Sequence, residues 1–138
     1  MSKLNLHNAD CLPAMREMED NQFDLAIVDP DYGIERFKKS IGTTRFKSTK
    51  ANGNNIILGG KPNKVYFKEI FRVSRFQIIW GANNFTLPQT EYFLIWNKKQ
   101  TVENFASAEY AWTSINKPAR VFEYSIHKHN HSKKYHPT

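Results

Sequence analysis

The sequence predicts an α/β fold, and three features favour this class. The segment "FDLAIVD", residues 23–29, is a nearly continuous apolar run, which is typical of a strand covered on both faces in an α/β sheet. Residues 61–75, "KPNKVYFKEIFRVSR", follow a helical pattern with one apolar face. Two later runs, "FQIIW" and "YFLIW", are rich in aromatic and β-branched residues and predict two more buried strands.

The remaining elements are predicted in chain order. "KLNLHNA", residues 3–9, alternates apolar and polar residues and predicts a short strand. Asp10 is expected to cap a short helix over "CLPAMREM", and the later helix should begin near Pro62. "SAEYAWTSI" and "ARVFEYSI" predict two final strands separated by "NKPA". The core faces of the two helices are predicted to carry Leu12, Met15 and Met18, and then Tyr66, Phe67, Ile70, Phe71 and Val73.

Length and composition set the class of protein. The 138 residues predict a single domain over residues 1–138, and 40% hydrophobic residues are enough for a packed core. No segment approaches the roughly 20 continuous apolar residues of a membrane span, so no membrane partner is predicted. The first residues do not resemble a signal peptide, and one cysteine cannot form an internal disulfide. We therefore expect a cytoplasmic protein in which Cys11 is a small buried thiol.

The charge distribution indicates a polyanionic partner. Lysine and arginine number 20 against 13 acidic residues, which gives a formal net charge of +7. A basic mobile loop is predicted over residues 36–55, too long for a passive connector, and a basic tail over residues 127–138. A solvated charged loop is the alternative, but as a set the loop cations favour DNA. These cations are Arg36, Lys38, Lys39, Arg45, Lys47 and Lys50.

The end of the first apolar run carries the sequence "DPDY", residues 29–32. It should lie at the carboxyl edge of the sheet, where open α/β folds bind their ligands. An ordinary turn is one interpretation, since Asp and Pro are common turn residues. The other interpretation is chemical. An exocyclic base amine is a poor nucleophile, because its lone pair is delocalised into the ring. The Asp29 carboxylate and the Pro30 carbonyl could accept its two N–H groups while Tyr32 stacks on the ring.

"DPDYG" resembles the Asp-Pro-Pro-Tyr motif of the amino-group DNA methyltransferases, which methylate adenine or cytosine from S-adenosylmethionine. The resemblance covers nearly the whole chain, through "NADCLPAMREMEDNQFDLAIVDPDYG", "IIWGANNF", "FLIWNKK", "SAEYAWTS" and "YHPT" in the family's order. It is strongest for methyltransferases of phage and mobile-element type. It implies a three-layer α/β sandwich with a Rossmann-like mixed sheet, S-adenosylmethionine as cofactor and DNA as partner. Asp at position 29 implies adenine rather than cytosine.

The resemblance also implies roles for individual residues. Asp29, Pro30 and Tyr32 match the catalytic motif, and the six loop cations would contact DNA. The donor would lie near Asp10, Asp29, His136 and Thr138. Transfer would be direct and in line, so the protein contributes positioning and electrostatic orientation. Cys11 is not in the context of a nucleophile for covalent catalysis.

The sequence departs from the family in two places. Asp31 stands where the family has Pro, which either loosens the backbone or adds a negative charge beside the sulfonium donor. The family's glycine-rich Phe-x-Gly-x-Gly turn follows the "YHPT" block, with which this sequence ends, and Gly59-Gly60 does not replace it. The expectation is therefore the catalytic half of the fold, as a truncated, fragment or split protein that binds the donor weakly or not at all by itself.

Two alternative functions stay open at this point. The chain could be a catalytically inactive DNA-binding remnant. It could also be a subunit whose exposed sheet edge pairs with a second chain or another copy, the partner supplying the glycine-rich turn. His127, His129 and His131 would share one side of an extended tail, but no carboxylate or cysteine completes a ligand set, and no metal site is predicted.

Overall fold

The computed structural model describes residues 3–32, 61–101, 103 and 105–125. The chain divides into two compact units, of which the first comprises Met1–Ala26 and Pro30–Gln77 and the second Ile27–Asp29 and Ile78–Thr138. A single domain over residues 1–138 stays a prediction, as do DNA and a second chain as partners. The basic loop with its six cations, the basic tail with its histidines, Gly59-Gly60, His136 and Thr138 lie outside the described residues.

The described chain contains two α-helices and five strands, which confirms the predicted α/β class. The elements in chain order are α1 (Cys11–Arg16), β1 (Phe23–Val28), α2 (Lys64–Val73), β2 (Ser74–Trp80), a 3₁₀ turn (Ala82–Asn84), β3 (Phe93–Asn97), β4 (Ala108–Thr113) and β5 (Arg120–Glu123). The strands form one sheet in the order β1-β2-β4-β3-β5. Strand β4 is antiparallel to β2 and to β3, whereas β3 and β5 are parallel, so the sheet is mixed.

The helices of the first unit follow from local capping and an apolar face. The Asp10 side chain accepts a hydrogen bond from the Leu12 amide at 3.0 Å, so the predicted cap of α1 is confirmed. Asn63, directly after Pro62, caps α2 by accepting from the amides of the next turn. Helices α1 and α2 contact each other. Their buried residues are Met15 on α1 and Phe67, Ile70 and Val73 on α2, all on the predicted faces.

Arg72 connects α2 to α1 and to the segment that follows α1. Its guanidinium donates to the carboxylates of Glu69 and Asp20 and to the carbonyls of Met15 and Met18, with distances of 2.7 to 2.9 Å. The hydrogen bonds that Arg72 donates to Glu69 and Asp20 raise the pKa of Arg72 above its ordinary value. One side chain therefore satisfies four acceptors in two segments of the first unit.

Replacing this guanidinium should destabilise the first unit. Arg72→Met is expected to lower the thermal unfolding midpoint, because it removes the donors of two carboxylates and two carbonyls. Arg75→Met is the control. Arg75 contacts the highly exposed Asp24 at 3.6 Å, and exposed ion pairs contribute little. Circular dichroism melting of both variants measures the difference, and equal midpoints for the two would contradict the role of Arg72.

The Tyr66 hydroxyl should lose its proton only at high pH. Burial raises the pKa of Tyr66 to about 12, and the charge of Cys11 adds to the rise. Between its ordinary pKa and about 12 the folded chain holds a proton that the unfolded chain has released, so stability falls as pH rises through this range. Ultraviolet titration of phenolate absorbance should show a late component that Tyr66→Phe removes. Its persistence in that variant would assign it to another tyrosine.

Three predictions about burial and local structure were wrong. Residues 3–9 form no strand, and Leu4 and Leu6 are 80% and 84% exposed. Strand β1 is not covered on both faces, because Phe23, Leu25 and Ile27 are exposed. It stands at one end of the strand order, so it has a described neighbour strand on one side only. Cys11 is exposed at the start of α1 rather than buried.

Across the described residues, no helix has the length and apolar character that crossing a bilayer requires.

Candidate functional site

Strand register places four large side chains of the second unit on one face of the sheet. Trp80 on β2 lies opposite Ala111 on β4, and Glu109 lies opposite Trp96 on β3. Trp96 in turn lies opposite Phe122 on β5. Directly paired residues share a face, as do residues two apart in one strand. Trp80, Glu109, Trp96 and Phe122 therefore all point to the same side.

These four side chains line a pocket in the second unit together with Asp29 and Tyr124. The pocket has a volume of about 310 Å³. Strands β2 and β3 both run antiparallel to β4, and β5 runs parallel to β3, so these three strands share a direction. Trp80 ends β2, and Trp96 and Phe122 are the next-to-last residues of β3 and β5. The pocket thus lies at the carboxyl edge of parallel strands, where open α/β sheets bind ligands.

Aromatic rings form much of the pocket wall. The rings of Trp96 and Phe122 are nearly parallel, with an interplanar angle of 4° and centroids 6.2 Å apart. Trp80 meets Phe122 edge-on, with centroids 6.0 Å apart. The Trp96 indole Nε1 donates to the Tyr124 carbonyl at 2.9 Å, which fixes the orientation of the indole. Such walls suit a flat ring, because aromatic faces stack on other aromatic systems.

Two lysine–glutamate pairs follow β3, and one of them belongs to the pocket. Lys98 forms an ion pair with Glu109, and its ammonium lies 5.4 Å from the centroid of the Trp96 ring. The Lys98 backbone amide also donates to the Ser107 carbonyl at 2.9 Å, which joins the end of β3 to the start of β4. Both side chains of the pair are largely buried, at 18% exposure for Lys98 and 31% for Glu109. The ion pair therefore holds the Glu109 carboxylate in the pocket lining.

The second pair lies outside the pocket lining. Lys99 forms an ion pair with Glu123, and the Asn97 amide donates to the same carboxylate at 3.2 Å. The hydrogen bond from Lys99 is the main cause that lowers the pKa of Glu123. Its contribution to stability is therefore present above the ordinary carboxyl pKa and is lost as pH falls through the lowered one. This contribution should be small, because both side chains are about half exposed.

Among the residues predicted from the motif, Asp29 is the one that lines this pocket. It is exposed and comes directly after the last residue of β1. Pro30 and Tyr32 are half-buried and belong to the first unit, and Asp10 caps α1 in that unit. Asp31, which replaces the family's Pro, is exposed. The roles given to these residues stay predictions.

Sequence reasoning did not assign the other five pocket residues, Trp80, Trp96, Glu109, Phe122 and Tyr124. For two of them, Trp80 and Trp96, the sequence contains a pattern that could have indicated their place. An Ile-Trp pair ends β2, and a second Ile-Trp pair comes directly before Asn97, the last residue of β3, which puts a large ring at the carboxyl edge twice. Glu109 had no such signal, because its place beside Trp96 depends on the register of β3 with β4.

Comparison with known proteins gives no match: no family model fits the chain, and no curated protein or solved structure is significantly similar to it. Among the described histidine, cysteine and acidic residues, no group of three or more could hold a metal ion. The pocket surface is mostly apolar and aromatic, and the acidic residues Asp29 and Glu109 form part of its lining. These groups are suited to a flat ring that carries N–H donors.

Proposed function

We propose that this chain takes part in S-adenosylmethionine-dependent methylation of the exocyclic amino group of adenine in DNA, within a three-layer Rossmann-like fold. The main support for the proposal is the position of Asp29 in the structure. The acid of the "DPDY" motif lines an aromatic pocket at the carboxyl edge of the sheet. An ordinary strand-end turn does not require such a pocket. The similarity of the motif to the amino-group methyltransferases supports the same chemistry.

The pocket groups have separate tasks in this mechanism. The aromatic walls hold the base after it has left the DNA helix. Asp29 accepts a hydrogen bond from one N–H of the amine. By the resemblance of the motif, the Pro30 carbonyl accepts one from the other N–H. These hydrogen bonds would turn the amine lone pair out of conjugation with the ring and towards the incoming methyl group. The nitrogen–carbon bond would form as the carbon–sulfur bond breaks, the donor would leave as its neutral thioether, and the methylated amine would lose one proton to water. Positioning and charge orientation therefore supply the rate enhancement, without a covalent enzyme intermediate.

The donor provides an electrophilic methyl group on a sulfonium. Of the residues that the resemblance assigns to it, Asp10 and Asp29 are described, and Asp29 lines the pocket. Asp10 lies at the start of α1. Its exposed carboxylate accepts from the Leu12 amide through Oδ1, and a carboxylate has acceptor sites on both oxygens. Asp10 can therefore cap α1 and accept a donor hydroxyl or amine at once. The other donor contacts, His136 and Thr138, lie outside the described residues.

A transfer assay tests the proposal. DNA is incubated with the chain and a high concentration of S-adenosylmethionine labelled in its methyl group. The label should be recovered as N6-methyladenine after digestion of the DNA. Recovery only on cytosine, or none above a control without protein, would contradict the proposal.

A further inference from the structure

The aromatic wall of the pocket is favourable for positive charge. The Lys98 ammonium lies 5.4 Å from the centroid of the Trp96 ring. This distance is within the ~6 Å over which the negative face of an aromatic ring attracts a cation. Trp80 and Phe122 extend the wall, with their rings nearly perpendicular at 80°. Tryptophan gives the strongest attraction of this kind, and two tryptophans line the pocket.

The charged residues of the pocket lining are all acidic. Among the six described lining residues, Asp29 and Glu109 are acids and none is a lysine or an arginine. Lys98 forms an ion pair with Glu109 from outside the lining and offsets one of these two charges. The two acids and this lysine together therefore carry one negative charge in excess. Charges interact over several ångströms, so this field does not require the two carboxylates to meet at one atom of a ligand.

The polar groups of the lining favour a purine that has lost a ring acceptor. Ionised carboxylates accept hydrogen bonds and donate none. A neutral purine presents acceptor ring nitrogens such as N7, and the Trp96 indole N–H already donates to the Tyr124 carbonyl. Alkylation of N7 removes this acceptor, adds a methyl group that suits the mostly apolar wall, and gives the ring a positive charge. Each of these changes should improve the fit.

We propose that this pocket binds purines that are alkylated at a ring nitrogen and carry a positive charge, and that it prefers them to neutral purines of the same shape. The inference rests on the proposed function only in placing a nucleobase in the pocket. It goes beyond that function because the ligand is a cationic base. Such a ring combines the dispersion contact of stacking with the attraction between a cation and an aromatic face.

The test compares 7-methylguanosine with 7-methyl-7-deazaguanosine, in which carbon replaces the alkylated nitrogen, so that the shape is kept and the charge is lost. Tryptophan fluorescence measures binding, because Trp80 and Trp96 line the pocket. We expect the unmodified chain to bind the cation about tenfold more tightly. Equal binding of the two nucleosides overturns the proposal, while the proposed function stands if 2′-deoxyadenosine binds. Failure of all three nucleosides to bind overturns both.

Lys98→Met separates the effect of charge from that of stacking. It removes the ammonium that offsets Glu109, so the preference for the cation should rise. Lys99→Met is the matched control, since it removes the neighbouring ammonium, whose partner Glu123 lies outside the lining, and should leave the preference unchanged. If Lys98→Met fails to fold, Asp29→Asn at an exposed position is the second variant and should lower the preference. The same preference in these pocket variants as in the unmodified chain overturns the proposal.

A cationic purine occurs as a free nucleoside and within a nucleic acid strand. A short single-stranded oligonucleotide that carries one 7-methylguanine separates these two sources. Tighter binding of the oligonucleotide than of 7-methylguanosine assigns the ligand to a strand, and binding that is no tighter assigns it to the free nucleoside. The proposal requires in both cases that the methylated form binds more tightly than its neutral 7-deaza counterpart.

Discussion

Asp29→Ala is expected to abolish methyl transfer to adenine while leaving DNA affinity nearly unchanged. In the proposed mechanism the Asp29 carboxylate accepts a hydrogen bond from the amine, and without it the lone pair would stay in the ring system. Removing a single hydrogen-bonding group that stabilises a transition state lowers rates by about a hundredfold or more. DNA affinity depends mainly on contacts with phosphates, to which an acid does not contribute.

The assay follows N6-methyladenine formation, with DNA affinity measured by fluorescence anisotropy at one fixed salt concentration. Asp24→Ala is the matched control, because it makes the same substitution on β1, at a side chain that is 92% exposed and lies outside the pocket lining. It should retain transfer. Turnover in Asp29→Ala comparable with that of the unmodified chain would remove Asp29 from the mechanism.

Ile79→Ala should cause a large loss of stability in the second unit. Ile79 is fully buried in β2 and lies opposite Trp112, which is also buried. Truncating a buried Ile to Ala removes apolar contacts and leaves a cavity, which costs about 2 to 5 kcal/mol. The loss should appear as a lower midpoint in urea denaturation with a nearly unchanged slope.

Ile27→Ala provides the same substitution on β1, where the side chain is 62% exposed. Its effect should stay within about 0.5 kcal/mol, which is the usual range for surface substitutions. The comparison separates burial from strand propensity, since both variants replace Ile by Ala in a strand. Similar losses of stability in the two variants would contradict the exposure of Ile27 on β1.

Most of the described elements could be predicted from local sequence. The runs that became β1, β2 and β3 are long and apolar, and the Asp10 cap and the apolar face of α2 are local signals. Burial could not be predicted in the same way, because it depends on which strands are neighbours. "FDLAIV" has the composition of a central strand, yet it stands at one end of the order β1-β2-β4-β3-β5. Residues 3–9 alternate correctly but form no strand.

The part of the candidate site that lies at the end of β1 could be predicted from the sequence. Asp29 was expected at the carboxyl edge of the sheet, and the aromatic pocket that it lines lies at that edge. The other lining residues come from four strands or their ends. They meet because of the pairing of Trp80 with Ala111, Trp96 with Glu109 and Trp96 with Phe122. Register between distant segments is a tertiary property, so no short motif could reveal it.

The most direct test of the role of Asp29 compares 2′-deoxyadenosine with purine 2′-deoxyriboside, which lacks the amino group and adds no bulk. Tryptophan fluorescence gives the dissociation constants for the unmodified chain and for Asp29→Ala. We expect the unmodified chain to bind deoxyadenosine at least about tenfold more tightly, and Asp29→Ala to lose most of this preference. An equal preference in both proteins would show that Asp29 does not bind the amine and would contradict the mechanism.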